Sequence, residues 1–236
     1  MRPIGFSTGA LAYADFRHGI EMALSIPCQA IELSALRQPE LLPMLDALDE
    51  LDLSRFSYIS IHAPSQMEAQ CEAALRERLL EELQRGWPII VHPDAIQDFT
   101  LWREFGSLLC IENMDKRKPI GRTAKELDLV FKQLPDATFC FDIGHARQYD
   151  TTMTEAYIIL REFGSKLRQV HVSDVSTSSR HNRLSYAAIL AFQEVAHWIP
   201  EQIPLILETP VLAQEMEAEI AKVRDALPLE KLQSVA

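Results

Sequence analysis

Glycine is scarce in this chain, 8 of 236 residues, and no GxGxxG or Walker-type loop is present. A phosphate handled here must therefore meet metals or side chains, because the sequence offers no glycine-lined backbone cradle. Cysteine is sparse as well. Cys28, Cys71, Cys110 and Cys140 show no CxxC spacing, so all four are read as reduced and no disulfide framework is expected. No apolar run reaches the roughly 18–20 residues of a membrane span. The opening Met1-Arg2-Pro3-Ile4-Gly5-Phe6 enters a strand directly and lacks the apolar core of a signal peptide. A cytoplasmic protein without membrane association is the expectation. Positive charge is also in short supply: 23 Lys and Arg against 34 Asp and Glu leave a net charge of −11. That balance argues against a surface built to grip polyanions.

What the chain has is apolar content, 47%, enough for one domain over residues 1–236 with a full core. Eight segments read as strands: Pro3–Ser7, Ala30–Ser34, Tyr58–His62, Pro88–His92, Leu108–Glu112, Thr138–Asp142, Gln169–Val172 and Pro204–Glu208. Stretches with helical spacing separate them. The clearest runs from Gln66 to Arg85 and ends at Gly86 and Pro88. Thr123–Glu126 and Thr152–Glu155 have the form of capping boxes that open two further helices. Leu184–Trp198 and Val211–Leu227 complete the set. Eightfold alternation predicts an α/β fold, a (β/α)8 TIM barrel, with an open doubly wound sheet as the alternative.

Six of the strand-like runs stop on, or beside, a residue that can bind a divalent metal: His62, His92, Glu112, Asp142, His171 and Glu208. These positions advance by 30, 20, 30, 29 and 37 residues, about one βα unit each time. Parallel strands in a barrel aim their C-terminal ends at one rim, where active sites of this fold lie. Imidazoles and carboxylates converging there predict a metal site and an enzyme, with the strand bodies below them apolar.

The short pieces His62-Ala63-Pro64, Val91-His92-Pro93, Ile111-Glu112-Asn113, Asp142-Ile143-Gly144-His145, His171-Val172-Ser173-Asp174, Arg180-His181 and Glu208-Thr209-Pro210 resemble the xylose-isomerase-like barrels. Within these, they resemble the endonuclease IV branch of metal-dependent phosphodiesterases. The resemblance implies that His62, His92 and Glu112 hold one metal. Glu112 would bridge to a second, held also by Asp142, His171 and Glu208. Zinc or manganese suits such mixed ligation, with iron a further candidate, and two ions would stabilise the entering and leaving oxygens of a phosphoryl displacement. In trinuclear members two histidines and an aspartate hold a third metal. His145 and His181 match the histidines, but Ser179 stands in the aspartate's place, which leaves a third metal in doubt. His145 and His181 are then expected to serve the leaving group.

The same superfamily also contains single-metal sugar isomerases and epimerases, which the chain resembles through Glu112, Asp142, His171 and Glu208. There Glu112 and Glu208 would move a proton at carbon. Glu32 resembles an acidic residue of those members and is a candidate substrate contact, with a buried pairing to an arginine as its structural reading. Arg37, Arg147 and Arg180 follow strand ends and are candidate anion contacts. His62 and His92 favour the two-metal hydrolase. The short chain and negative charge favour a small phosphodiester over duplex DNA as substrate. A metal-binding barrel without catalysis is the third reading. Oligomeric state is not legible.

Overall fold

Eight parallel strands close on themselves in the computed structural model, which describes residues 2–229; Met1 and residues 230–236 lie outside it. The strands are β1 (Ile4–Ser7), β2 (Ala30–Ser34), β3 (Tyr58–His62), β4 (Ile89–Val91), β5 (Leu109–Glu112), β6 (Thr138–Asp142) and β7 (Leu167–Val172). After β7 the chain makes a small antiparallel hairpin, β8 (Asp174–Val175) with β9 (His181–Asn182), before the last barrel strand, β10 (Leu205–Leu207). The closed order β1-β10-β7-β6-β5-β4-β3-β2 follows the chain around the barrel, and helices cross between consecutive strands. This is the TIM barrel that the alternation predicts; the open sheet is excluded.

Three observed strands begin one residue later than expected because their segments open on proline, which has no N–H to donate. The proline carbonyls still join the ladder. Pro3 accepts from Leu205 N at 2.9 Å, Pro88 from Ile61 N at 2.9 Å and Pro204 from Val170 N at 3.0 Å.

Side chains alternate across each strand, and the two faces differ in chemistry. Ile31, Leu33, Ile61, Val91, Ile111, Phe139, Phe141 and Val172 belong to the large apolar cluster formed with the helices, whereas Ile90, Cys110 and Cys140 form a separate small cluster. The expectation of wholly apolar strand bodies is corrected on the interior face. Glu32, Ser60 and Gln169 are fully buried there, and Tyr58 Oη donates to Gln169 Oε1 at 2.6 Å. Interior positions recur every second residue, so His62 follows Ser60, Glu112 follows Cys110, Asp142 follows Cys140 and His171 follows Gln169. The parity that buries these residues aims the metal-binding side chains into the mouth of the barrel.

Two helix starts differ from expectation. The helix expected from Gln66 occupies only Glu72–Glu81, with a 3-10 turn over Glu82–Arg85. Burying Met67 holds the residues before it in the mouth as a loop. Glu72, 3% exposed, accepts from Trp102 Nε1 at 3.0 Å and from Gln97 N at 2.9 Å, fixing the helix start. Thr123 does cap its helix, accepting from Glu126 N at 3.2 Å, but the Glu126 carboxylate reaches back to Arg122 N at 2.8 Å instead of to Thr123. In the second box Met153 is the N-cap of the helix Thr154–Phe163, in a left-handed conformation at φ 59°. Asp150 takes the capping work, accepting from Glu155 N at 3.0 Å and Thr152 N at 2.9 Å.

Candidate metal centre

All six strand-end ligands meet. Glu112, 1% exposed, stands at their centre. Its Oε2 lies 3.2 Å from His62 Nε2 and 3.3 Å from His92 Nε2, while its Oε1 lies 3.4 Å from His171 Nδ1 and 3.3 Å from His145 Nδ1. Glu208 Oε2 is 3.6 Å from His171 Nδ1 and 3.4 Å from His181 Nδ1. Within the sets His62/His92/Glu112, Glu112/Asp142/His171/Glu208 and Asp142/His145/His181, the ligand atoms lie within 4.8 Å of one another. Most of these groups line a cavity of about 290 Å³ at the C-terminal ends of the strands.

Local structure decides which atom each residue presents. His62 Nδ1 donates to the Ala63 carbonyl at 2.7 Å, so Nε2, which donates to Glu112 at 3.2 Å while it is protonated, is the nitrogen left to ligate once that proton is released. His171 is held the opposite way: Nε2 donates to Glu32 Oε2 at 2.9 Å, leaving Nδ1 to face the site. The Gln169 amide nitrogen lies 2.8 Å from His171 Nε2 and 2.7 Å from Glu32 Oε2, and both nitrogens turn their hydrogens onto that carboxylate. Asp142 divides its two oxygens. Oδ1 accepts from His145 N at 2.6 Å, capping the helix Ile143–Tyr149, and Oδ2 lies 3.4 Å from His145 Nδ1. Asn113 ties β5 to β6 by a reciprocal pair, donating to Asp142 O and accepting from Asp142 N, both at 2.8 Å. Only glycine fits at Gly144, because a Cβ there would sit 2.5 Å from the Ser173 carbonyl oxygen.

The chemistry of this donor set fits divalent ions. His92 Nδ1, Asp142 Oδ2 and His171 Nδ1 are buried and have no hydrogen-bond partner, a costly arrangement unless another group meets them. Imidazole nitrogen and carboxylate oxygen at one point suit zinc, manganese or iron. In the metal-free protein protons do part of the neutralising. Burial opposes charge on His62, but the Glu112 hydrogen bond and the Glu32 charge outweigh it and raise His62 to about 9. Burial opposes charge on His145 too, yet Asp142 and Glu112 overcome it and raise the ring to about 10. Burial would lift Glu112, but the surrounding imidazoles hold it well below the usual carboxylate range. Burial pushes Asp142 up to about 6, and burial with the His145 charge lowers His181 to about 4.

Several expected contacts are corrected. Glu32 is fully buried under the site, where it accepts from His171, Gln169 and Ser60 and, among the described residues, pairs with no arginine. Arg147 is engaged with Asp174 Oδ1 at 2.8 Å. Arg37 is exposed and pairs with Glu40 at 3.3 Å, lining a neighbouring cavity instead of the metal pocket. Arg180 and His181 do reach the mouth. Ser179, at φ 54°, donates its hydroxyl to Asp115 Oδ1 at 2.6 Å and accepts from Gln148 Nε2 at 2.7 Å. It is therefore committed to protein partners, and the acid that groups with the two histidines is Asp142. Asp115 was not singled out from sequence: it follows Glu112 by three residues on a loop, outside the period-2 pattern that marks the others.

No protein-family model matches this chain, and no curated protein matches it by sequence. Solved structures do. Endonuclease IV from Thermus thermophilus superposes with a TM-score of 0.64 at 18% identity, covering 95% of this chain and 98% of that one. The IolI protein with a binding zinc atom gives 0.67 at 12% identity, with 95% and 98% coverage. A xylose isomerase-like TIM barrel protein from Mycobacterium smegmatis in complex with magnesium gives 0.59 at 12% identity, with 96% and 98% coverage. Closed parallel topology and near-complete overlap with all three give this chain the xylose-isomerase-like TIM-barrel fold.

Proposed function

We propose that the chain is a divalent-metal-dependent hydrolase that cleaves a phosphodiester in a small, nucleotide-like molecule. The observation that carries this reading is the division of Glu112, whose Oε2 faces His62 and His92 while Oε1 faces His171. A carboxylate placed between two ligand sets could be shared by two ions, and a one-metal reaction leaves the His62/His92 set without work. Two ions there would supply Lewis-acid charge to a phosphoryl oxygen and lower the pKa of an attacking water. Zinc or manganese, with iron as third candidate, are the ions the donor set favours. The bound zinc of the IolI protein and the magnesium of the M. smegmatis protein support divalent-ion chemistry, and endonuclease IV supports the diester.

The chain's own groups orient and protonate. Glu32 and the Ala63 carbonyl lock the His171 and His62 rings in ligating tautomers. Ser173 Oγ lies 2.8 Å from His181 Nδ1; donating there, it places the imidazole hydrogen on Nε2, ready for a leaving-group oxygen. His145 Nδ1 is held by the Asn113 carbonyl at 3.0 Å, which fixes its ring beside Asp142.

A second reading rests on the compact set Glu112/Asp142/His171/Glu208, which suffices for a single-metal isomerase using Glu112 and Glu208 for proton transfer. Elemental analysis separates the two. The hydrolase retains two ions per chain and loses one in a His62→Ala, His92→Ala double variant. Bis(4-nitrophenyl) phosphate assayed beside a set of ketoses reports the reaction. One ion per chain, an inert diester and ketose turnover would overturn the hydrolase.

A further inference from the structure

A second cavity, about 450 Å³, opens beside the metal pocket and shares Glu208, His181 and Leu36 with it. Its outer walls carry Tyr13, Arg180 and Pro210, from the loops after β1 and β10 and from the β8–β9 hairpin. Tyr13 is 69% exposed and sits at φ 54°, ψ −123°, with its N–H on the Gly9 carbonyl at 3.1 Å. Glycine is the low-cost residue in that conformation. A large aromatic kept there, with its ring in solvent at the rim of a reactive pocket, is strain of the kind that collects at functional sites.

Arg180 is the second element. The other cations lining this cavity and its two neighbours are paired: Arg37 with Glu40, Arg117 with Asp115 and Lys118 with Asp94. The Arg180 guanidinium has no partner among the described residues, yet its backbone is pinned. Its N–H donates to Ser176 Oγ at 3.0 Å, and its carbonyl accepts from Ser176 N at 2.9 Å and Asn182 Nδ2 at 3.1 Å. A fixed backbone presenting that cation to a cavity that an exposed ring also lines is suited to an anion that carries a flat group.

We propose that Tyr13 and Arg180 form a specificity subsite for a planar aromatic group borne on the substrate's phosphate ester. The ring stacks on Tyr13 while Arg180 pairs with a phosphate oxygen on the same side. The subsite deepens the phosphodiesterase reading and rests on it for the reaction, although ring binding can be measured without turnover.

The test uses the metal-loaded full chain and calorimetric binding of three probes: adenosine 5′-monophosphate, phenyl phosphate and ribose 5-phosphate. Wild type is expected to bind the two ring-bearing probes about tenfold or more tighter than the ringless sugar phosphate. Adenosine 5′-monophosphate above phenyl phosphate marks a nucleobase as the natural ring; the reverse marks a simple aryl group. Tyr13→Phe keeps the preference and Tyr13→Ala removes it. Tyr13→Gly, which relaxes the left-handed backbone, folds at least as stably and also removes it. Arg180→Gln weakens all three probes by a similar factor. Equal binding of the probes by wild type, or a preference that survives Tyr13→Gly, overturns the subsite. Ring preference without diester hydrolysis upholds the subsite while the reaction assignment falls; diester hydrolysis without ring preference does the opposite.

Discussion

Replacing Glu32 by glutamine removes one buried charge and almost no volume, so its effect isolates what the carboxylate does for His171. Three donors converge on Glu32 Oε2: His171 Nε2 at 2.9 Å, Gln169 Nε2 at 2.7 Å and Ser60 Oγ at 3.2 Å. A glutamine oxygen can accept from His171, but its NH2 then faces donors on neighbouring groups, and the charge assistance of about 1.5–3 kcal/mol is lost. Acting through His171, this should lower metal affinity about 10–100-fold. Proton competition opposes the loss. Burial disfavours a charged His171, but the acids around it, Glu32 among them, raise its pKa well above the ordinary value, so the variant sheds the competing proton more easily. The affinity ratio of wild type to Glu32→Gln should therefore be smallest near pH 7 and widen toward pH 9, where protons compete less. Competition against a fluorescent chelator at several pH values measures it. A ratio near unity across that range, in a variant that still folds and binds no other way, would show that Glu32 only fills space.

Metal binding must expel the proton held on His62, at about 9, and that on His171, whose pKa the surrounding acids hold well above the ordinary value against the opposing effect of burial. Apparent affinity should climb between pH 6 and 9 by about one log unit per pH unit for each proton released, and calorimetry in buffers of different ionisation enthalpy counts those protons; a flat profile refutes the assignment. In the metal-free protein His62 and His145 have folded pKa values above the ordinary 6.5, so the stability they contribute is fully present below pH 6.5. It fades as pH rises through 9 to 10, which a pH series of melting curves with chelator present detects. Glu72→Ala leaves Trp102 Nε1 and the amides of Gln97 and Asp98 without their acceptor. It should cost about 2–4 kcal/mol in denaturant unfolding with metal content unchanged. Gly144→Ala forces a Cβ to 2.5 Å from Ser173 O and 2.7 Å from Val175 Cγ2; it should destabilise by about 1–3 kcal/mol and reduce retained metal, since His145 and Asp142 flank it.

The barrel and the convergence of six candidate ligands on one rim were legible because one signal encodes both. A short β-branched or aromatic run marks a strand, and a histidine or acid at its end marks the rim. Helices were legible as elements but not at their starts. Residues 66–71 have the composition of a helix, yet burial of Met67 and the grip of Glu72 on Trp102 decide otherwise, and both are contacts across the sequence. The interior network was missed for a related reason. Ser60 and Gln169 read as polar interruptions in strands, and nothing local says that Glu32, 137 residues from Gln169, completes them. Arginines at strand ends were the weakest guide: Arg147 and Arg37 are absorbed by Asp174 and Glu40, while Arg180 sits on a hairpin the strand count did not include and its guanidinium has no partner among the described residues.

Charge balance links the metal-free and loaded forms. Glu32, Glu112, Asp142 and Glu208 place four acids in or beneath one pocket, three of them fully or almost fully buried. Without ions, protons on imidazoles oppose these charges, which is why His62, His145 and His171 are all raised, while burial prevails at His92 and His181 and lowers them. Two divalent ions would bring the same number of positive charges as there are carboxylates, and the imidazoles could then be neutral ligands. A third ion has no such counterpart. Ser179 adds no charge, and Asp115, which receives the Ser179 hydroxyl, is already matched by Arg117 at 3.2 Å. Any further positive charge at His145 and His181 would need an anion from outside the protein, and a substrate phosphate is the group the proposed reaction brings.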